Sequence, residues 1–357
     1  MVYLWYPTAK KHREVREAYL PGAKEMDVNV ESRRSMVDLF GDNWPLIVSG
    51  AVYSHATERA PVAKIRNRLP VIVFSHGLGG TGFEYTSLIE DLASRGYVVA
   101  AIEHTQFGAV VLFPDGRIDI PREDSPPAGL SRAEKGQWKS HRIGMMTNEG
   151  AADVRFVLDR LTNLNAREAQ EFLLAGRLDL TRVASMGHSA GAEYAARAGQ
   201  LDARLKACVD LDGGMVPIAA LPDLGDGATM KQPLLFLEGY HPESPSDQPH
   251  AGNVMAGTHA QIVQYRKRKE EQLELCPLGS YAVELKSPGM VHGSFSDHPL
   301  LAAGQHISEV RVALHNLDLI EMFARAFLDK NLKHAKAPLL DNASARRPEA
   351  TVRQYGH

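Results

Sequence analysis

The chain has 357 residues, of which 44% are apolar and 23% are charged, and its net charge is −3. This composition excludes a disordered or fibrous chain and predicts a globular protein with a large core. The small net charge gives no reason to expect a nucleic-acid partner. Cys208 and Cys276 are too few for a disulfide framework and do not have the spacing of a zinc site.

The sequence gives no sign of a segment that crosses a membrane or directs export. No window reaches the roughly 18 to 20 consecutive apolar residues that a membrane span needs. The start, MVYLWYPTAKK, has no basic segment followed by an apolar run, so the sequence as written predicts a cytoplasmic protein. Because VYLWYP already alternates like a strand, a leader upstream of Met1 is the alternative, and it would predict a secreted or periplasmic protein.

From about residue 70, short apolar runs alternate with amphipathic helical patterns. The predicted strands are PVIVFS (70–75), YVVAAIE (97–103), RVASM (182–186), KACVDLD (206–212), QPLLFLEG (232–239) and SYAVELK (280–286). Predicted helices lie around 85–92, 154–161, 190–200 and 305–328. This alternation is typical of βαβ units. The predicted fold class is therefore α/β, with one doubly wound, mostly parallel sheet flanked by helices in a single domain over residues 1–330.

Three stretches fall outside the alternation. Residues 110–120 predict a hairpin that turns at Pro114-Asp115-Gly116. Residues 241–275 are an excursion of a Pro, Gly and His-rich loop followed by a helix. The end, 331–357, is polar and basic, and is predicted to be a solvated tail.

The strongest local motif is GHSAG, in which Gly187, Ser189 and Gly191 fit G-x-S-x-G between a predicted strand and a predicted helix. In a nucleophile elbow the chain turns so sharply that the residues two before and two after the serine must be small. Such a turn raises the serine hydroxyl above the sheet at a helix N-terminus. The motif therefore predicts Ser189 as a nucleophile.

A serine nucleophile needs a histidine base and a carboxylate, in the chain order Ser, acid, His on this fold. His292 follows the last predicted strand, where the base is expected. Asp212 and Glu238 end two successive strands, and both are candidates for the acid. Topology alone favours Glu238, because the acid commonly follows the later strand. Asp210 lies deeper in its strand, where an ionised carboxylate costs more to bury.

A glycine loop after the first predicted strand allows two interpretations. Gly77, Gly79 and Gly82 spell G-x-G-x-x-G, and Glu103 ends the next strand, as in a dinucleotide site of an NAD(P)-dependent oxidoreductase. In an ester hydrolase the same loop would present a backbone N–H to an oxyanion. Thr81-Gly82-Phe83-Glu84 fits a capping box, and a carboxylate at that helix start would repel a pyrophosphate.

Four motifs, taken in order, closely resemble the plasma-type (isoform II) platelet-activating factor acetylhydrolases. The similar stretches are FSHGLGGTGFEYTSLIEDLASRGYVVAAIEH, GHSAGA, LDGGMVP and VHGSFSD. The resemblance implies an α/β-hydrolase fold, with Ser189 as nucleophile, Asp212 as acid and His292 as base. It also implies that the N–H groups of Leu78 and Ala190 form the oxyanion hole. On this basis Asp212 is preferred to Glu238.

The resemblance implies short-acyl ester substrates, such as phospholipids with acetyl or shortened chains, and chemistry that needs no metal or organic cofactor. The chain departs from the family where Ala190 replaces an aromatic residue and Gly213-Gly214 replace Ala-Trp. A wider acyl pocket would follow, so a broader esterase acting on small synthetic or polyester-like esters is an alternative. Gln137-Trp138-Lys139 is a candidate for peripheral lipid contact. A hydrolase-fold binding protein without catalysis is the non-enzyme alternative.

Overall fold

The computed structural model describes most of the chain, namely residues 1–9, 17–105, 107–121, 125–166, 172–213, 229–240, 259–304, 306–341 and 347–356. The loop predicted over 241–258 and the departure at Gly214 lie outside these residues.

One eight-stranded sheet dominates the described residues. The strands of the chain are β1 (Val2–Trp5), β2 (Leu69–Ser75), β3 (Val98–Ile102), β4 (Val111–Leu112), β5 (Ile118–Asp119), β6 (Leu178–His188), β7 (Leu205–Leu211), β8 (Leu234–Gly239), β9 (Ser280–Leu285) and β10 (Ala350–Tyr355). The order across the sheet is β1-β3-β2-β6-β7-β8-β9-β10. The six inner strands of this sheet run parallel, whereas β1 and β10 pair antiparallel at the two edges. β4 and β5 form a separate antiparallel pair within the predicted hairpin.

Helices cover both faces of this sheet. They are α1 (Ala23–Val28), α2 (Val30–Phe40), α3 (Trp44–Ser49), α4 (Thr86–Ser94), α5 (Arg132–Leu164), α6 (Ala190–Leu201), α7 (His259–Glu274), α8 (His298–Ala303), α9 (Ile307–Lys333) and α10 (Pro338–Asp341). The mostly parallel sheet between helical layers confirms the predicted α/β fold class. Among the described residues, none of these helices combines the length and apolarity that crossing a bilayer would require.

Burial on both faces explains the continuous apolar runs of the central strands. Val71 and Val73 of β2 share one core cluster with Val154 of α5. Ile72, which points to the opposite face, shares another cluster with Phe323 of α9. Neither face of β2 meets water, so its sequence does not alternate between apolar and polar residues.

The C-terminal region differs from the prediction of a solvated tail over 331–357. Helix α9 continues to Lys333, and residues 350–355 form β10, which is hydrogen-bonded along β9. The tail prediction is therefore wrong for these residues. An edge strand has one side exposed to water, and Arg353 and its polar neighbours are the exposed residues of β10. These polar residues obscure the strand pattern in the sequence.

Two further segments are more ordered than the sequence indicates. Helices α1 to α3 were not predicted, and they enclose a core cluster that includes Met36, Phe40 and Trp44. Gln137-Trp138-Lys139 lies inside α5, which begins at a capping box between Ser131 and Glu134. The proposed lipid contact of this segment stays a prediction.

Replacing Tyr355 by Ala should lower the free energy of unfolding by about 3 kcal/mol, because removing a buried aromatic side chain leaves a cavity. The Tyr355 hydroxyl also donates to Glu270 Oε1 at 2.9 Å, and that bond would be lost. Arg353→Ala on the same strand is the control, and it should change stability by no more than about 0.5 kcal/mol because its ion pair is exposed. Urea denaturation measures both variants. Equal losses would contradict the packing of β10.

Candidate active site

The backbone at Ser189 forms a one-residue turn between β6 and α6. Ser189 has φ 55° and ψ −125°, a conformation that costs energy for a residue with a Cβ. A Cβ on Gly187 would collide with the Gly191 carbonyl, and a Cβ on Gly191 would collide with the Ser75 and His76 carbonyls. The Ser189 N–H donates to the Leu211 carbonyl at 3.0 Å. The two glycines of the motif are thus required by close backbone packing, and they hold the turn in place.

His292 and Asp212 meet beside this turn. His292 Nδ1 lies 2.7 Å from Asp212 Oδ2. Asp212 Oδ1 accepts the Gly239 N–H at 2.9 Å, and the Asp212 N–H donates to the Leu237 carbonyl at 2.7 Å. Because a carboxylate oxygen only accepts, Nδ1 is the nitrogen that donates, so the tautomer that this contact selects has its lone pair on Nε2. Asp212 therefore fixes both the tautomer and the orientation of the imidazole.

Glu238, the other candidate acid, is paired elsewhere. Both of its carboxylate oxygens lie 2.7 Å from Lys269 Nζ of α7, and both side chains are largely buried. Asp210 lies under the turn, where its Oδ1 accepts the Gly213 N–H at 2.8 Å. Burial raises the pKa of Asp210 to about 8. The structure thus brings Asp212, and neither of the other two carboxylates, to His292.

The glycine loop after β2 presents one N–H at Leu78. The Gly77 N–H donates to Tyr85 Oη at 3.1 Å, and the Gly79 N–H donates to the Phe107 carbonyl at 2.7 Å. In the described part of the chain, no acceptor meets the N–H of Leu78 or the N–H of Ala190, the first residue of α6. Leu78 follows β2 and Ala190 follows β6, which are adjacent strands. Two N–H donors that have no acceptor among the described residues therefore lie on neighbouring segments, which is the arrangement that an oxyanion hole would need.

The start of the helical segment after this loop is closed by side chains. Thr81 and Glu84 form the predicted capping box. Glu103 Oε1 accepts the Gly82 N–H at 2.9 Å and the Thr81 hydroxyl at 3.1 Å, and it occupies the space that a Cβ on Gly82 would need. Burial raises the pKa of Glu103 to about 7. This geometry disfavours a dinucleotide site. The Gly82 N–H and the Glu103 carboxyl, which would contact the dinucleotide, are hydrogen-bonded to each other.

A second Ser, His and Asp row lies deeper in the protein. His104 Nε2 lies 3.0 Å from Ser75 Oγ, and His104 Nδ1 lies 2.8 Å from Asp153 Oδ2. Ser75 and His104 have no exposed surface. The backbone N–H of His104 donates to His76 Nε2 at 3.2 Å, and burial lowers the pKa of His76 to about 3. Because no substrate can reach Ser75, this row joins β2 and β3 to α5 and does not form a second active site.

An ion pair that the sequence did not indicate connects the glycine loop to the segment carrying His292. His298 Nε2 forms a short contact with Glu84 Oε1, and the Asp297 N–H donates to the Glu84 carbonyl at 2.6 Å. Burial lowers the pKa of His298, but the hydrogen bond and charge of Glu84 outweigh it and raise this pKa above its usual range. His298 therefore contacts Glu84 and is not a second partner of Asp212. Among the described residues, no three His, Cys, Asp or Glu side chains converge as metal ligands would.

The family described as platelet-activating factor acetylhydrolase, isoform II, matches residues 1–118 and 148–337. The chain belongs to this family. The match confirms the resemblance that the four motifs suggested, and it leaves out residues 119–147, which include the first half of α5.

Relatives of this platelet-activating factor acetylhydrolase family member are distant. A platelet-activating factor acetylhydrolase of Cavia porcellus is 25% identical over 80% of this chain and 62% of its own length. A probable 1-alkyl-2-acetylglycerophosphocholine esterase of Arthroderma benhamiae is 23% identical over 79% of this chain and 65% of its own. The chain thus spans less than two thirds of these relatives. A ferulic acid esterase of Streptomyces cinnamoneus superposes with a TM-score of 0.67 at 25% identity, covering 98% of this chain and 88% of that protein.

Replacing Glu84 by Gln should destabilise the family member in a pH-dependent way. A raised His298 pKa means that the ion pair contributes its full stability below the unfolded-state pKa of about 6.5, and loses it as pH rises past the folded-state pKa. The variant should therefore be about 1 kcal/mol less stable than the parent at pH 5.5, and the gap should narrow by pH 9. Denaturant unfolding across this range measures it. A gap that widens with rising pH would show that His298 is not charged in the pair.

Proposed function

We propose that this chain is a serine hydrolase that cleaves short-acyl carboxylic esters in two steps through an acyl-enzyme. The proposal is carried by the 2.7 Å contact between His292 Nδ1 and Asp212 Oδ2 beside the Ser189 turn. It is supported by membership of the acetylhydrolase family and by the esterase names of the relatives. The chemistry draws on four segments, and each of them follows the carboxyl end of a parallel strand.

In the first step, Ser189 Oγ attacks the ester carbonyl while its proton passes to His292 Nε2. Asp212 stabilises the resulting imidazolium and keeps its ring in place. The N–H groups of Leu78 and Ala190 stabilise the tetrahedral oxyanion. As the intermediate collapses, the bond to the alkoxide oxygen breaks, and His292 returns the proton to the leaving alcohol.

In the second step, water replaces the alcohol. His292 takes a proton from the water as the water oxygen attacks the acyl carbonyl, and Ser189 then leaves with that proton. The carboxylic acid is released and the enzyme is restored.

The acyl pocket is proposed to be short and walled by aromatic side chains. Ala190 packs against a small cluster formed by Phe107, Met146 and Tyr194. These side chains are buried, and we propose that they close the far end of the acyl pocket beside Ala190. The small Ala190 side chain leaves room for an acyl group that is wider rather than longer. A ferulate-type acyl group is therefore the second candidate, favoured also by the ferulic acid esterase that matches almost the whole chain.

Removing members of the triad tests the mechanism. Ser189→Ala and Asp212→Asn should each lower kcat for p-nitrophenyl acetate by about four orders of magnitude, because the members act as a unit. Glu238→Gln is the matched control, since it neutralises the other candidate acid. It should keep kcat within about tenfold of the parent, although leaving Lys269 without its carboxylate partner should cost about 3 kcal/mol of stability. Loss of turnover in Glu238→Gln alone would overturn the assignment of Asp212.

A substrate series tests the acyl specificity. For p-nitrophenyl esters, kcat/KM should be highest for acetyl or butyryl and should fall at least tenfold by dodecanoyl, because a longer chain must stay in water. A phosphocholine acetyl ester and methyl ferulate are assayed beside them, with Ser189→Ala as the blank. A preference for dodecanoyl would contradict the short pocket. A ferulate rate above the acetyl rate would favour the second candidate.

A further inference from the structure

His188 is a buried imidazole beside the active site that the proposed chemistry does not use. It ends β6, directly before Ser189, and it is 5% exposed. Its ring centroid lies 4.4 Å from that of His292, and the ring stacks on Phe295 at 5.8 Å. Its Nδ1 lies 2.8 Å from Tyr85 Oη, and its Nε2 lies 3.1 Å from the carbonyl oxygen of His292.

The groups around His188 determine which atom donates in each of three linked hydrogen bonds. A carbonyl oxygen only accepts, so His188 Nε2 must carry a proton and donate it to the His292 carbonyl. Burial lowers the pKa of His188 to about 3, so the ring is neutral and Nδ1 holds a lone pair. Tyr85 must then donate its hydroxyl proton to Nδ1. The Tyr85 oxygen in turn accepts the Gly77 N–H at 3.1 Å.

We propose that Tyr85 and His188 are positioning residues, which hold the oxyanion loop and the turn that carries His292 at a fixed separation through one directional chain of hydrogen bonds. The chain runs from the Gly77 N–H through the Tyr85 hydroxyl and the His188 ring to the His292 carbonyl. Gly77 directly precedes Leu78, the proposed oxyanion donor. The inference rests on the proposed function, and it adds a role that neither residue has in the triad.

This row of hydrogen bonds and Asp212 hold different parts of His292. Asp212 orients the imidazole through Nδ1, whereas His188 holds the backbone carbonyl of the same residue. The neutral state of His188 is also needed for catalysis, because a second positive ring 4.4 Å away would oppose the formation of the His292 imidazolium. The two contacts together define where Nε2 of His292 lies relative to Ser189.

Tyr85→Phe is the direct test, because it removes one oxygen and leaves the ring packed in the core. Both the Gly77 N–H and His188 Nδ1 lose their partner, so the oxyanion loop and the His292 turn can shift. We expect kcat for p-nitrophenyl acetate to fall between about tenfold and a hundredfold, with KM changed less than about threefold, since misplacement of catalytic groups affects the transition state most.

Tyr97→Phe is the matched control. It also removes a buried hydroxyl, which donates to Asp329 Oδ1 at 2.8 Å, but it precedes β3 and so lies at the amino end of the parallel strands, whereas the candidate site lies at their carboxyl ends. We expect it to lower the melting temperature and to leave kcat within about twofold. If Tyr85→Phe lowered the melting temperature but kept kcat at the level of Tyr97→Phe, the positioning role would be overturned.

Replacements of His188 give a second, independent test if Tyr85→Phe does not fold. Gln offers an amide N–H for the His292 carbonyl and an oxygen for the Tyr85 hydroxyl, whereas Leu fills a similar volume with neither. We expect His188→Gln to keep at least tenfold more activity than His188→Leu at similar KM. Equal activity in the two variants would overturn the inference. Turnover that survives in Ser189→Ala would instead overturn the proposed function on which it rests.

Discussion

The sharp turn at Ser189 is the constraint on which the rest of the site depends. Ser189 has a Cβ and yet adopts a positive φ. Close backbone packing holds it in this conformation, because Gly187 packs against Gly191 and Gly191 packs against the end of β2. The same contacts bring the oxyanion loop of β2 next to the N-terminus of α6. One packing arrangement thus positions the proposed nucleophile and the two proposed oxyanion donors.

Burial keeps several titratable side chains in this part of the protein uncharged or shifts their pKa towards the uncharged form. His76 and His188 are buried in settings that keep them neutral, and the carboxyls of Asp210 and Glu103 have raised pKa values because they too are buried. Asp212 stands apart, because its carboxylate has both an N–H donor from Gly239 and the imidazole of His292. In the proposed mechanism, the proton would therefore move at His292, while these buried groups keep their protons in place.

The sequence predicted those features that depend on residues close together in the chain. The buried strands, the glycines around Ser189 and the Thr81 cap are local patterns, and the structure contains all three. The role of Glu238 could not be predicted, because it is decided by Lys269 on a helix that packs against it from elsewhere in the chain. The ring of Tyr85 packs in the core, but the hydrogen-bond partner of its hydroxyl is His188, about a hundred residues later in the chain. Polar contacts of this kind have no periodic signal in the sequence.

The two edges of the sheet are formed by strands that lie far apart in the sequence. β1 precedes every other strand and β10 follows them all, and each pairs antiparallel with its neighbour. During synthesis on the ribosome, the outer edge of β9 therefore stays open until β10 emerges, while the strands from β1 to β9 are already able to pair. Nascent or prematurely terminated chains would expose a row of unpaired backbone groups, which is a template for association with other chains.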